Sequence, residues 1–155
     1  MQITRAADYA VRVMVHLASL PPGTRLQKSA LVELSEAPES FLSKVLQHLT
    51  RTGLMISHRG NTGGFELDPG HRAATLLEVV EAIEGPIRLN VCLTSDHACN
   101  RQGWCPAHPV WAKAQQAMID VLASANIADL ARRAAETKSQ SPTTNVVLID
   151  GVKWN

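Results

Sequence analysis

The chain has 155 residues, carries 15 Lys and Arg against 14 Asp and Glu, and is 45% hydrophobic with 19% charged residues. That length buries a core without staples, the hydrophobic fraction excludes disorder, and 9 Gly and 8 Pro exclude collagen-like or low-complexity classes. No run approaches the roughly 18 uninterrupted apolar residues of a spanning helix, no secretory h-region follows Met1, and a net charge of +1 confines any basic surface to a local stripe, so a soluble cytoplasmic protein is expected.

Residues 5–20 place Ala6, Ala10, Val13, Leu17 and Leu20 at steps of three and four, the stripe of a helix buried on one side, and Pro21-Pro22-Gly23 ends it. A short second helix is expected to turn Ala30, Leu31 and Leu34 inward, followed by a tight turn at Ser35-Glu36-Ala37. Pro38 suits the first position of a third helix, where its missing N–H costs nothing. This helix runs to about Thr52 and buries Phe41, Leu42, Val45, Leu46 and Leu49, while Ser40, Ser43, Lys44, Gln47 and Arg51 lie on its other face. Gly53 follows as the residue free to take positive φ. Leu54–His58 and Phe65–Asp68 then alternate apolar and polar residues around a Gly-rich turn from Arg59 to Gly64, the signature of a β-hairpin.

Two short helices, a turn, a third helix with an exposed polar face and a hairpin with Arg at its tip describe a winged helix-turn-helix. A polar, partly basic helix face suits the major groove, and Arg59 on the wing suits a phosphate or the minor groove. The same pattern also describes an ordinary solvated helix beside a structural hairpin.

The second half carries an amphipathic helix over Thr75–Glu84, ended by Gly85-Pro86. Asn90–Ala107 has no periodicity and reads as a loop. A long helix follows from about Pro109 to Ala125, and its stripe of Trp111, Ala114, Met118, Val121 and Ala125 either pairs with its copy in a second subunit or folds back on its own domain. Asn126-Ile127-Ala128-Asp129 resembles a capping box opening a last short helix. From Glu136 the chain turns polar, and Val146–Ile149 reads as a strand or an adhesive end. The expected division is a DNA-binding unit over 1–72, a loop and dimerisation helices over 73–135, and a polar tail over 136–155.

All three cysteines lie within 14 residues, with six residues between Cys92 and Cys99 and five between Cys99 and Cys105. An odd, clustered set with no export signal argues against a disulfide framework and for a metal or redox site. Thiolates select zinc, copper(I) or iron–sulfur clusters. Structural zinc sites use closer pairs than these gaps give, whereas a wide loop suits a cluster. Unliganded or redox-active thiols are the alternative. His97 reads as a solvated loop histidine; His108, beside the third cysteine at the mouth of the long helix, reads as a ligand.

Met1-Gln2-Ile3-Thr4, Asp8-Tyr9-Ala10-Val11-Arg12, Ser40-Phe41-Leu42, Gly53-Leu54 and Arg59-Gly60-Asn61-Thr62-Gly63-Gly64-Phe65 resemble the Rrf2 family of bacterial winged-helix regulators. The resemblance continues through Leu76–Ile83, the three cysteines and Ile127-Ala128-Asp129-Leu130, about residues 1 to 135. It implies a homodimeric repressor or activator whose DNA affinity is set by a cluster at the three cysteines. One branch of the family places a His three positions after the last Cys, here His108, and holds a two-iron cluster; another takes an Asp from the first helix of the other subunit, matching Asp8, and holds a four-iron cluster. Cys105-Pro106-Ala107-His108 is the more specific match.

The resulting expectation is a mainly α fold with a β-hairpin wing and a long dimerisation helix, not an enzyme, binding double-stranded operator DNA as a homodimer. Ser40, Ser43, Lys44, Gln47 and Arg59 contact DNA. Cys92, Cys99, Cys105 and His108 hold a [2Fe–2S] cluster, with Asp8 and a [4Fe–4S] cluster as the alternative. A cluster-free thiol-redox repressor and a zinc-stabilised interaction module are the competing readings.

Overall fold

The computed structural model describes residues 3–60, 63–95 and 98–140. Its elements run α1 (Arg5–Ala18), α2 (Lys28–Ser35), α3 (Glu39–Arg51), β1 (Met55–His58), β2 (Gly64–Leu67), α4 (Leu76–Glu84), α5 (His108–Ser124) and α6 (Ile127–Gln140), with short 3-10 turns at Pro69–His71 and Val91–Leu93. The fold is mainly helical with one antiparallel hairpin, as the sequence pattern predicts. It is built around α1, which packs against α2, α3, β2, α4 and α6. Ala10, Val13 and Met14 of α1 are fully buried and meet Leu31, Leu42, Leu46, Leu49 and Met55 in the main core. Each such aliphatic side chain contributes about 1.5–3 kcal/mol by leaving water. Arg72 closes the far end of α1, donating from Nη2 to the carbonyls of Ala18 (2.8 Å) and Leu20 (3.1 Å).

Three details of the helix-turn-helix differ from the periodicity. The inward residues of α2 are Leu31 and Ser35, both fully buried, while Leu34 is 42% exposed. The Ser35 hydroxyl satisfies itself on the Leu31 carbonyl at 2.6 Å, so a polar residue fits the core one helical turn on. Pro38 is the cap rather than the first helical residue: its ψ of 134° is extended, and its carbonyl accepts from the N–H groups of Phe41 and Leu42. Between them Glu36 takes φ 55°, a left-handed turn that side chains other than Gly rarely adopt. Arg12 braces this turn, reaching the Ser35 carbonyl at 3.4 Å and the Glu36 carboxylate at 3.5 Å.

The wing pairs Met55 with Leu67 and His58 with Gly64. Leu26 adds a third rung, exchanging two backbone hydrogen bonds with Phe65 at 2.9 and 2.8 Å. A Cβ at Gly64 would lie 2.6 Å from the Leu26 carbonyl, so only Gly permits that rung. On the outer face Glu66 is 9% exposed because Arg25 (3.3 Å) and His58 (2.9 Å) share its Oε2. Asn61 and Thr62 of the turn lie outside the described residues.

Thr75 opens α4 with a reciprocal capping box to Glu78. Asn126 caps α6 without the full box: its Oδ1 accepts from the Asp129 N–H at 2.8 Å, but the Asp129 carboxylate accepts from the Asn126 side-chain Nδ2, at 2.7 Å. The last helix is not short. It continues to Gln140, past the point where a polar tail is expected, because Ile127, Leu130 and Ala131 dock one face on the main core. The Val146–Ile149 segment lies outside the described residues. On α5 the expected stripe divides: Met118 joins Ile119 and Leu122 against Ala7, Val80 and Ile87, whereas Trp111 (43%) and Val121 (61%) are exposed.

Candidate DNA interface and cysteine cavity

Helix α3 presents Ser40, Lys44 and Gln47 to solvent. Ser43 is half-buried, and its hydroxyl donates to the Glu39 carbonyl at 3.0 Å. Phe41, expected in the core, is 42% exposed and meets Tyr9 edge-on at 5.9 Å between ring centroids. It sits at the rim between α1 and α3, where the first turn of α3 leaves no room inside. At the start of α3 Lys28 pairs with Glu39 at 2.7 Å, and the ammonium holds the Glu39 carboxyl below the usual carboxylate range. Arg59 is exposed at the wing, where Gly60 turns the chain with φ 101°. Lys28 and Arg25 lie outside α3, so helix periodicity does not indicate them, and both are paired, with Glu39 and Glu66.

The cysteine loop folds over the start of α5. Cys92, Cys99, Cys105 and His108 line one cavity of about 220 Å³, joined by Gln102 and Trp111. The three cysteines are free and half-buried. The His108 ring Nε2 and the Gln102 Oε1 are buried with no hydrogen-bond partner among the described residues, which is unusual for buried polar atoms. Two features place His108 there: its N–H donates to the Cys105 carbonyl at 3.2 Å, and it is the first residue of α5, followed by Pro109 in the first turn. Gln102 and Trp111 carry no spacing signal and are visible only once the loop is folded. His97 lies outside the described residues.

One ion bound at about 2.0–2.3 Å draws its donors to within about 4 Å of each other. Among the described residues no three His, Cys, Asp or Glu side chains converge to hold a single ion. Three thiols and an imidazole line one cavity, and these residue types are donors that soft metals accept. Asp8 stands elsewhere in the chain, half-exposed and paired with Arg12 at 2.9 Å.

The model of the Rrf2 family, described as iron-dependent transcriptional regulators, matches residues 3–133. The chain belongs to the Rrf2 family. It is therefore a transcriptional regulator, which implies DNA binding, and not an enzyme. Among solved structures this Rrf2 protein is similar to CymR (YrzC), the global cysteine regulator of B. subtilis, with 25% identity, 86% of this chain and 98% of that one covered, and a TM-score of 0.68. IscR of T. potens shares the fold at 22% identity, with 89% and 91% covered and a TM-score of 0.70. So does the oxidised form of Staphylococcus aureus CymR, at 21% identity, 84% and 96% covered, TM-score 0.66. No helix among the described residues is long and apolar enough to cross a membrane.

Proposed function

We propose that this Rrf2 regulator adjusts its operator affinity in the cytoplasm through an iron–sulfur cluster held by Cys92, Cys99, Cys105 and His108. The observation that carries the reading is the cavity shared by three free thiols and His108, whose buried Nε2 has no hydrogen-bond partner among the described residues. When bound, a cluster supplies a redox-active, ligand-exchanging centre whose state follows iron supply, oxidants or nitric oxide. The chain's own groups do the rest. The three thiols bind as thiolates and release protons on assembly, and His108 binds through the lone pair of neutral Nε2. The N-terminus of α5, next to Cys105, carries a partial positive charge that favours the net negative charge three thiolates bring. Trp111 walls the cavity with an apolar ring that limits water. With His108 as fourth ligand the two-iron form is favoured; Asp8 of the partner subunit with a four-iron cluster is the alternative.

For DNA reading, α3 enters the major groove. Lys44 and Gln47 reach base edges, Ser40 and Ser43 serve the backbone, and Arg59 reaches a phosphate or the minor groove. Two copies pair through α5, where Val110, Ala114, Ala117 and Val121 form an exposed seam at alternating steps of four and three. That pairing sets two reading heads about one helical turn of DNA apart. Residues 1–72 then read and residues 73–135 sense and dimerise.

A cluster-free thiol switch is the second reading. It is favoured by the same three reduced thiols in one cavity, and by similarity to a CymR solved in an oxidised form. Anaerobic purification with iron and sulfide counted per chain separates the two. Stoichiometric iron and sulfide with visible absorption, and a change in salt-dependent binding to the chain's own upstream DNA on removal, support the cluster. A colourless protein whose DNA affinity follows reversible thiol oxidation refutes it.

A further inference from the structure

The groove between α1, α3 and α4 carries a contact, Thr4 to Glu84, that the cysteine cavity does not use. It encloses about 210 Å³ between the first turn of α1, the outer edge of α3 and the end of α4, and is lined by Thr4, Phe41, Lys44, His48, Ile83 and Glu84. Thr4 caps α1 with its side chain, accepting from the Ala6 N–H at 3.2 Å. The carboxylate of Glu84, 80 residues away, completes the cap from outside: its Oε1 accepts from the Thr4 N–H at 3.3 Å and from the Thr4 hydroxyl. A carboxylate at a helix N-terminus is electrostatically favourable. Here it comes from the last residue of α4, so it ties two helices that both pack against α3.

Glu84 is also the last helical residue before the sensing loop, and the intervening chain has little slack. Ile87 is 1% exposed and its N–H donates to Glu81 Oε1 at 3.1 Å. The Leu89 N–H donates to Gln115 Oε1 of α5 at 3.0 Å, and Asn90 and Cys92 already line the cavity. A displacement of the cavity wall has a short path to the end of α4, the six residues 85–90, of which Ile87 and Leu89 are held by hydrogen bonds. From there the Thr4–Glu84 contact passes it to α1 beside Phe41 and Lys44.

We infer that Glu84 is a positioning residue for DNA recognition, transmitting the state of the cysteine cavity to α3 by way of Thr4 and the first turn of α1. The inference rests on the cavity being the sensor, and its test keeps the two apart. Operator affinity is measured by fluorescence anisotropy on a duplex from the chain's own upstream DNA, with full-length protein either cluster-loaded anaerobically or stripped by chelation. The quantity read is the ratio of the two affinities. Glu84→Ala is expected to reduce that ratio about tenfold, the worth of one charge-assisted hydrogen bond, with the visible spectrum unchanged. Glu84→Gln keeps an acceptor oxygen and retains the ratio. Thr4→Val loses it, and the double variant Thr4→Val/Glu84→Ala loses no more than either single one, because both break one link. A wild-type ratio that survives Glu84→Ala overturns the inference and leaves the proposed function standing. A wild-type ratio of one refutes the proposed function. Amide exchange of stripped protein then decides the link by itself: Glu84→Ala, but not Glu84→Gln, must speed exchange in α3 as well as in the first turn of α1, and unchanged α3 exchange overturns it.

Discussion

The substitution Ala114→Asp separates what one chain needs for folding from what two chains need for assembly. Ala114 is exposed on α5, with Val110 (64%) and Val121 (61%) on the same side. In an isolated chain the new carboxylate meets water, so its cost is the helix propensity difference of about 0.7 kcal/mol, a fall in melting temperature of about 2 °C for a chain of this size. Paired helices sit about 8–10 Å apart, which brings two carboxylates related by a two-fold axis to about 5 Å. At an effective dielectric constant of 20 their repulsion is about 3 kcal/mol, more than 100-fold in dimer dissociation before lost apolar contact is counted. Sedimentation velocity across micromolar concentrations should therefore show monomers with a nearly unchanged circular dichroism melt, and operator affinity should fall with the loss of the second half-site. A variant that remains dimeric places the interface elsewhere. One that unfolds places Ala114 in a core the structure does not show.

Arg59→Ala should weaken binding to every DNA sequence and lower the salt-dependence slope by about one unit, while Lys44→Ala should change which operator is preferred; an unchanged slope removes Arg59 from the interface. His108→Ala should lower iron retained per chain after gel filtration while Asp8→Ala leaves it unaltered, and the reverse result assigns the fourth ligand to Asp8. Ile127→Ala removes three buried carbons from a fully buried site and should cost about 2–5 kcal/mol by denaturant titration; a cost under 1 kcal/mol would mean that α6 is not part of the core. The Thr75 N–H and hydroxyl hold the Glu78 carboxyl below its ordinary range, and Arg132 followed by Asn126 does so for Asp129. Carboxyls with lowered folded-state pKa values contribute stability that is complete above the ordinary carboxylate pKa of about 4 and lost as pH falls through the lowered values. Glu78→Gln should therefore lower the melting temperature at pH 7, where the carboxylate's contribution is complete, and change little at a pH below the lowered value, where that contribution is already lost.

The helix-turn-helix and wing are legible in the sequence because their limits are written in Pro, Gly and two distinct hydrophobic periods. Gly53 and Gly60 mark turns with positive φ, and Val45, Leu46 and Leu49 mark the buried face of α3. Leu34 lies outside because apolar spacing cannot say which side of a two-turn helix meets a neighbour, and Ser35, satisfied by its own helix, takes the buried place; Phe41, in the first turn of α3, meets Tyr9 at the rim instead of the core. The same limit applies to α5, where Met118 turns inward and Val110 and Ala117, outside the expected stripe, lie exposed. Thiols and imidazole are recognisable as donors by residue type alone, so the four cavity residues could be named before folding. Gln102 and Trp111 could not, since a loop has no period. The Thr4–Glu84 contact joins residues 80 positions apart, and local pattern carries no information at that separation.

The docking of α6 on α1 joins the two ends of the described chain: Ile127 is fully buried and Ala131 is 3% exposed in the same cluster as Val13 and Met14. Synthesis delivers α1 first and α6 last, so the reading head emerges from the ribosome with an open seam that only the last helix closes. Between the two events the cysteine loop has been made as well. A nascent or prematurely terminated chain lacking α6 therefore exposes apolar surface on α1 and becomes a substrate for proteases. Integrity of the reading unit thus depends on residues that follow the cysteine loop, because α6 covers the face of α1 that a chain stopping short of it leaves open.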